Sequence, residues 1–108
     1  MITFDNIERN YEIASKSFSL DIPEFFNFAY DILDVRAQQA DKVALLAIDT
    51  FTGYKTSVTY SELSKASSQF GKALLSLGLK RGDAACVIIG RNPDWHKVLF
   101  GCMKVGVI

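Results

Sequence analysis

The chain has 108 residues, 49% of them hydrophobic, and its 12 basic residues balance its 12 acidic residues. This length supports a single domain, and the apolar content excludes an intrinsically disordered chain. The neutral charge gives no electrostatic reason to expect a nucleic-acid or anionic-membrane partner. No apolar run exceeds six residues, the length of residues 84–89, so none is long enough to cross a bilayer.

The N-terminus and the cysteines bear on the cellular compartment. The N-terminus lacks the basic-then-apolar layout of a signal peptide, and Asp5, Glu8 and Glu12 argue against a transit peptide, so a cytoplasmic location is expected. Cys86 and Cys102 lie inside apolar segments, where reduced, buried thiols are expected. Two cysteines and one histidine cannot build a structural zinc site by themselves.

The first third of the chain predicts an arm followed by a helix. Residues 1–20 show no clean period and predict an N-terminal arm with at most one helical turn. A helix is predicted from Asp21, which can form a capping box with Glu24. Two apolar stripes at helical spacing predict that this helix is covered on more than one side: one has Phe25, Phe28, Ile32 and Val35, the other Phe26, Ala29, Leu33 and Ala37.

A hairpin is predicted over residues 43–60. The segment KVALLAID reads as one strand and TSVTY as a second. The intervening TFTGYK is a turn centred on Gly53.

The helix that follows is the best specified element of the sequence. Thr59 and Glu62 predict a capping box at its start. Gly78 fits the left-handed position after its end, where Leu79 can contact Leu74 in a Schellman turn. The predicted buried stripe consists of Leu63, Ala66, Phe70, Ala73, Leu74 and Leu77.

A third strand and a last helix are predicted next. The segment GDAACVIIG is apolar on both faces, which is typical of an interior parallel strand. Asn92 is the predicted cap of the last helix, and Pro93 fits its first position. The side chains predicted to face inward are Trp95, Val98, Leu99 and Cys102.

The fold class predicted from these elements is α/β, with the order α-β-β-α-β-α and a right-handed crossover joining the second and third strands. A doubly wound sheet needs a further strand after its last helix, and Val107 and Ile108 would begin it. Residues 21–108 are therefore expected to be the incomplete front end of a larger layered domain, truncated at its C-terminal end.

Two basic motifs resemble phosphate-binding sites. The segment ASSQFGK, residues 66–72, has the spacing of a phosphate-binding loop, but Ala66 replaces its first glycine and Ala73 replaces its Ser or Thr. It also lies within a predicted helix, whose interior has no free N–H groups. Lys80 and Arg81 could meet a phosphate, but a pair that complements a helix end is the favoured interpretation.

No catalytic, cofactor-binding or metal-binding residue is predicted. His96, the only histidine, is expected to point outward beside Lys97, with no serine, cysteine or carboxylate placed to use it as a base. The aromatic residues of the first predicted helix are expected to pack in the core rather than to stack on a ligand: Phe25, Phe26, Phe28 and Tyr30.

Three segments together resemble the N-terminal region of AMP-forming acyl-CoA synthetases of the acetyl or medium-chain type, within the adenylate-forming superfamily. They are FNFAYDILD (26–34), VTYSELSKASSQFGKALLSLGLKRGD (58–83) and VIIGRNPDWHKVLFGCMKVGVI (87–108). The order of T-Y-x-E-L, G-L-x-x-G-D, an apolar strand, N-x-P-x-W and an apolar helix ending in Gly is similar to that of the superfamily. The resemblance covers roughly residues 22–108, with departures at Ala84-Ala85 and Gly90-Arg91.

The resemblance implies an enzyme that converts a carboxylate, ATP and coenzyme A to acyl-CoA, AMP and pyrophosphate through an acyl-adenylate, with magnesium. The family's phosphate loop, nucleotide-binding motifs, magnesium-binding glutamate and C-terminal lysine lie downstream. The expectation is therefore a scaffold fragment without catalytic activity, whose partner is the remainder of the enzyme. The alternative is a stand-alone, non-catalytic α/β binding or assembly module. Self-association through exposed apolar surface around Phe100 and Met103 is also expected.

Overall fold

The computed structural model describes the backbone of residues 4–20, 23–39 and 42–108. Helix α1 spans Phe4–Ser17, so the N-terminal arm contains a much longer helix than the single turn expected. No proline or glycine interrupts this segment. The side chains of residues 10–20 are all exposed, so the second half of α1 contributes nothing to the core.

The predicted second helix begins later than expected. A π-helix spans Ala29–Asp34 and passes into one turn of α-helix, α2, at Val35–Ala37. Residues 24–25 form a bend, so the predicted helix start is wrong, and the Asp21 side of the proposed capping box lies outside the described residues.

Asn27, just before the N-cap residue Phe28, makes hydrogen bonds at the start of the π-helix. Its Oδ1 accepts a hydrogen bond from the Ala29 N–H at 3.0 Å, and its own N–H donates to Asp31 Oδ2 at 2.6 Å. Its amide group also donates to the Met103 carbonyl at 2.8 Å. One asparagine therefore fixes both where this helix begins and how it lies against the last helix.

The predicted hairpin is confirmed. Strands β1 (Val43–Ile48) and β2 (Lys55–Thr59) pair antiparallel, with an irregularity near Val43. Asp49 Oδ1 accepts hydrogen bonds from two backbone N–H groups of the turn, at 2.8 and 3.0 Å. These bonds hold the pKa of Asp49 below its ordinary value.

Helix α3 spans Tyr60–Ser76 and has both predicted ends. The Glu62 N–H donates to Thr59 Oγ1 at 3.2 Å, and the Thr59 N–H donates to Glu62 Oε2 at 2.8 Å, which completes the capping box. Gly78 has φ +91°, and the Leu79 N–H donates to the Leu74 carbonyl at 3.2 Å, as in a Schellman turn.

The predicted third strand and crossover are not confirmed. Residues 83–90 are extended but lie in no strand, and the described sheet contains only β1 and β2. The coarser α/β class holds, since helices combine with a small antiparallel sheet. Helix α4 spans Asp94–Val105 with Pro93 at its N-cap, one residue later than predicted. Asn92 Oδ1 accepts from the Asp94 N–H at 2.9 Å, just before the helix.

Helices α3 and α4 approach each other through two glycines. A Cβ added to Gly101 would lie 2.8 Å from both the Ser67 carbonyl oxygen and Phe70 Cδ1. A Cβ added to Gly71 would lie 3.0 Å from Val105 Cγ1. A real Cβ essentially never lies as close as 2.8 Å, so glycine is required at position 101, whereas at position 71 the Val105 side chain would have to shift slightly.

Two small clusters form the core. The first, where the π-helix, β2 and α3 meet, contains Leu33, Val58 and Leu63. The second, between the end of α3 and α4, contains Leu74, Cys102 and Val107. The accessible surface is 8867 Å², against roughly 6,000 Å² for a folded monomer of this mass. Much apolar surface is therefore uncovered.

Candidate functional site

A buried ionic cluster lies where the π-helix, α3 and α4 meet. Lys104 Nζ donates to Asp34 Oδ1 at 2.7 Å, to Ser68 Oγ at 2.9 Å and to the Ser64 carbonyl at 3.1 Å. The Lys104 side chain is 2% exposed and that of Asp34 is 30% exposed. Ser64 Oγ also donates to Asp34 Oδ1, at 2.6 Å.

All three protons of the Lys104 ammonium group therefore have acceptors, and the Tyr30 ring centroid lies 5.7 Å from Nζ. A cation satisfied in this way has no proton left to bind a substrate anion. We interpret the cluster as a structural tie that fixes three elements in register. The sequence analysis missed it, although a lysine on the apolar face of α4, three residues after Gly101, was a usable signal.

A second feature is an apolar groove of about 480 Å³ between β1 and the start of α4. His96 lies in its wall, half-buried, and its Nδ1 atom is buried without a hydrogen-bond partner among the described residues. Its ring lies edge-on to that of Trp95, with centroids 5.4 Å apart. The predicted outward position of His96 is wrong, and Trp95, predicted to face inward, is 42% exposed.

The groove has no complete catalytic set. Its wall is mostly aliphatic, and its charged member is Arg91 at the rim. In the part of the chain that the structure describes, no hydrogen bond joins His96 to a carboxylate or a nucleophile. General base catalysis needs an acceptor oriented toward a substrate proton and commonly a partner that orients the base. His96 by itself does not meet this description.

The two motifs that resemble phosphate-binding sites in the sequence do not form such a site in the structure. Residues 66–72 lie inside α3, where Ser67 and Gly71 are buried against α4, so they cradle no phosphate. Lys80 and Arg81 lie in the exposed turn after α3. The Lys80 N–H donates to Asp83 Oδ2 at 2.6 Å, and the Arg81 stem lies beside Gly106.

The two thiols differ in environment. Cys102 is buried, as predicted, and burial raises the pKa of its thiol. Cys86 is exposed, so the prediction of burial is wrong for this residue. The reason is that residues 83–90 are covered on only part of their surface.

The aromatic side chains of the π-helix region are more exposed than predicted. Phe25 is 86% exposed, and Phe26, Phe28 and Tyr30 are about half exposed. The prediction of core packing is therefore wrong for most of them, although Phe28 stacks on Phe100 with ring centroids 5.9 Å apart. The second predicted stripe is the buried one, through Ala29 and Leu33.

Two further features, a metal-binding cluster and a membrane-spanning helix, are absent from the described residues. These residues hold no group of three or more His, Cys, Asp or Glu side chains able to bind a metal ion. Within the same residues, no helix combines the length and the apolar character needed to span a membrane.

Comparison with known families decides the identity. Residues 33–108 match the model of a family described as AMP-binding enzyme. This chain belongs to the AMP-binding enzyme family. Its relatives in that family include the mitochondrial acyl-coenzyme A synthetase ACSM3 of Mus musculus, 30% identical over 105 residues. The mitochondrial acyl-coenzyme A synthetase ACSM5 of Mus musculus is 33% identical over 93 residues.

Solved structures of two further proteins are similar to this chain. The fatty acyl-adenylate ligase from L. pneumophila, in complex with acyl adenylate and pyrophosphate, covers 74% of the chain with a TM-score of 0.68 at 18% identity. The anthranilate CoA ligase AuaEII, in complex with anthranoyl-AMP, covers 82% with a TM-score of 0.60 at 26% identity. The first likeness, at its low identity, concerns the fold alone.

The chain spans only part of these proteins. The match covers 92% of the chain but 18% of mouse ACSM3, and 81% of the chain but 16% of mouse ACSM5. The matched segments of the two solved structures are 14% and 16% of their chains. The cytoplasmic location expected from sequence does not fit the relatives, because both synthetases carry "mitochondrial" in their names.

Proposed function

We propose that this chain forms part of an AMP-forming acyl-CoA synthetase. Such an enzyme joins a carboxylate to ATP, releases pyrophosphate, and transfers the acyl group from the adenylate to the thiol of coenzyme A. The observation that carries the proposal is the family match over residues 33–108, together with relatives named acyl-coenzyme A synthetases.

Within that enzyme the chain acts as a scaffold. The described residues contain neither a phosphate-binding loop nor a cluster of metal ligands, so ATP, magnesium and coenzyme A would be held by other parts of the protein. The Lys104–Asp34 cluster and the Gly71–Gly101 contact supply rigid packing on which those parts can rest. The total accessible surface, about half as large again as expected for this mass, and the many exposed apolar side chains are consistent with burial against the remainder of the enzyme.

The remaining features of the fold follow from the same proposal. In the complete domain, residues 84–90 form a strand, and α3 makes a right-handed crossover from β2 to it. A chain of this kind that lacks its partners exposes aliphatic side chains, and we expect it to self-associate at high concentration. Sedimentation velocity over a wide concentration range measures this, and a single monomeric species throughout would contradict it.

The activity proposal is tested by pyrophosphate release from ATP. The purified 108-residue chain, supplied with magnesium, coenzyme A and a series of short-chain and medium-chain acids, is expected to release none above background. The matched positive experiment replaces the corresponding segment of mouse ACSM3 with residues 1–108 of this chain. Acid-dependent release by that chimera supports the scaffold function. Release by the 108-residue chain alone, or a folded but inactive chimera, contradicts it.

The nucleotide sequence beyond the codon for Ile108 separates the main proposal from its alternative. Several hundred further codons support the synthetase, whereas a stop codon directly after Ile108 supports a stand-alone, non-catalytic binding or assembly module.

A further inference from the structure

The turn of the β1–β2 hairpin carries the most exposed large apolar side chain among the described residues. Phe51 is 100% exposed, yet the backbone that carries it is tightly bonded. Its N–H and that of Thr52 donate to Asp49 Oδ1 at 2.8 and 3.0 Å. The Asp49 carbonyl accepts from the Gly53 N–H at 2.8 Å, and the Asp49 N–H donates to the Tyr54 carbonyl at 2.9 Å. These hydrogen bonds hold the turn in one conformation, with the Phe51 ring in solvent.

A groove of about 580 Å³ lies directly beside this turn, between β1 and the residues that precede α4. Ile48 and Pro93 supply apolar side chains to its wall, and Asp49 and Arg91 are its charged members. Phe51 borders the groove but does not fill it, because its ring is fully exposed. An aromatic ring and a groove able to take such a ring therefore belong to one surface patch.

A patch of this kind is complementary to a second copy of itself. In a contact with two-fold symmetry the same patch is used by both copies, so the ring of each copy can enter the groove of the other. The two charges fit this arrangement, because Asp49 of one copy can face Arg91 of the other. In the described part of the chain neither ion pair involves Arg91. Both hydrogen bonds to the Asp49 carboxylate go to Oδ1, so Oδ2 retains capacity to accept.

We propose that the hairpin turn docks a second copy of this chain, with Phe51 of each copy seated between Ile48 and Pro93 of the other. The fixed turn reduces the conformational entropy lost on binding, and the small size of the contact predicts a weak dimer. An anionic membrane is the weaker fit, because the groove holds one acidic and one basic residue and the chain is neutral overall. This contact goes beyond the proposed function and does not depend on it.

Sedimentation equilibrium of the 108-residue chain tests the role of Phe51. Phe51→Ser should leave the turn folded, because the bonds to Asp49 Oδ1 come from backbone N–H groups. It should raise the dimer dissociation constant by about tenfold or more, as expected for loss of an aromatic anchor. The matched control is Phe25→Ser, which removes a ring that is nearly as exposed but lies outside the groove. The control should change the dissociation constant by less than about twofold.

Two further measurements test the arrangement within the dimer. Arg91→Glu would place an acidic side chain opposite Asp49, so it should raise the dissociation constant by about two- to fivefold, and added salt should reduce this difference. Arg91→Lys keeps the charge and should preserve dimer formation. In a mixture of isotope-labelled and unlabelled copies, filtered NMR spectra should show a nuclear Overhauser effect between the Phe51 ring of one copy and Pro93 of the other.

The proposal would be overturned by equal effects of Phe51→Ser and Phe25→Ser, because self-association would then use another apolar surface. It would also be overturned by the absence of the intermolecular signal from Phe51, or by species larger than a dimer that disappear with Phe51→Ser. Flotation with vesicles of phosphatidylcholine and phosphatidylserine that requires Phe51, without a dimer that requires it, would assign the turn to a lipid surface instead. Pyrophosphate release by the synthetase chimera is a separate measurement, so either result here leaves the proposed function to its own assay.

Discussion

Replacement of Asp34 by alanine is expected to destabilise the chain by leaving the Lys104 ammonium group buried without its counter-ion. Removal of one partner of a fully buried ion pair costs about 3–5 kcal/mol. Here Lys104 keeps two neutral acceptors, Ser68 Oγ and the Ser64 carbonyl, and the Asp34 side chain is 30% exposed, so water can reach the vacated position. We therefore expect a loss of roughly 2–3 kcal/mol.

Urea unfolding followed by the fluorescence of Trp95, the single tryptophan, measures this loss. With an m-value of about 1–2 kcal/mol/M, the midpoint should fall by roughly 1–3 M. The control is Lys104→Met, which removes the charge but keeps an apolar chain of similar length. In that background Asp34→Ala should cost less than about 1 kcal/mol, because no buried cation remains. Equal costs in the two backgrounds would refute the interpretation of the cluster as a coupled ionic tie.

Three further predictions concern packing, thiol reactivity and pH. Gly101→Ala should lower the free energy of unfolding in urea by about 1–3 kcal/mol, because its Cβ would lie 2.8 Å from a backbone oxygen of α3. The control Gly90→Ala, which has open space around it, should change that free energy little. Equal losses in the two variants would argue against the close helix contact. Cys86 should react with a thiol reagent in the native chain, whereas Cys102, buried and with a raised pKa, should react only after unfolding; simultaneous reaction of both would contradict the described packing. The Thr59 N–H, which donates to the Glu62 carboxylate, lowers the pKa of Glu62 from 4.5, so the stabilising contribution of Glu62 is present above pH 4.5 and is lost as the pH falls below it. A Glu62→Gln variant should therefore lose less stability than the wild type over that acid range. An unchanged acid dependence of stability would contradict this.

Local features of the fold were predictable because their signals lie within a few residues of one another. The capping box at Thr59 and Glu62 and the left-handed Gly78 are each set by contacts three to five residues apart. The hairpin required only two apolar runs and a glycine turn. For such elements the sequence pattern and the local backbone energy favour the same structure.

The start of the second helix was mispredicted because a tertiary contact competes with a local signal. The sequence offers Asp21 and Glu24 as a capping box. In the structure Asn27 instead accepts from the Ala29 N–H at the start of the helix, while its amide donates to the Met103 carbonyl, 76 residues away. The predicted burial of the aromatic residues was wrong for a related reason. Helical periodicity identifies an apolar face but does not say whether another element covers it.

The sequence by itself determined the family, the hairpin and the ends of helix α3, because these features depend on the order of motifs and on hydrogen bonds between residues close in the chain. Only the tertiary structure decided that Lys104 is buried with Asp34, that Gly101 lies against α3, and that Ile108 pairs with the segment at Ala85. These pairings join residues far apart in the chain. Their free energy depends on distance, burial and the loss of water, and these quantities exist only after the elements have packed together.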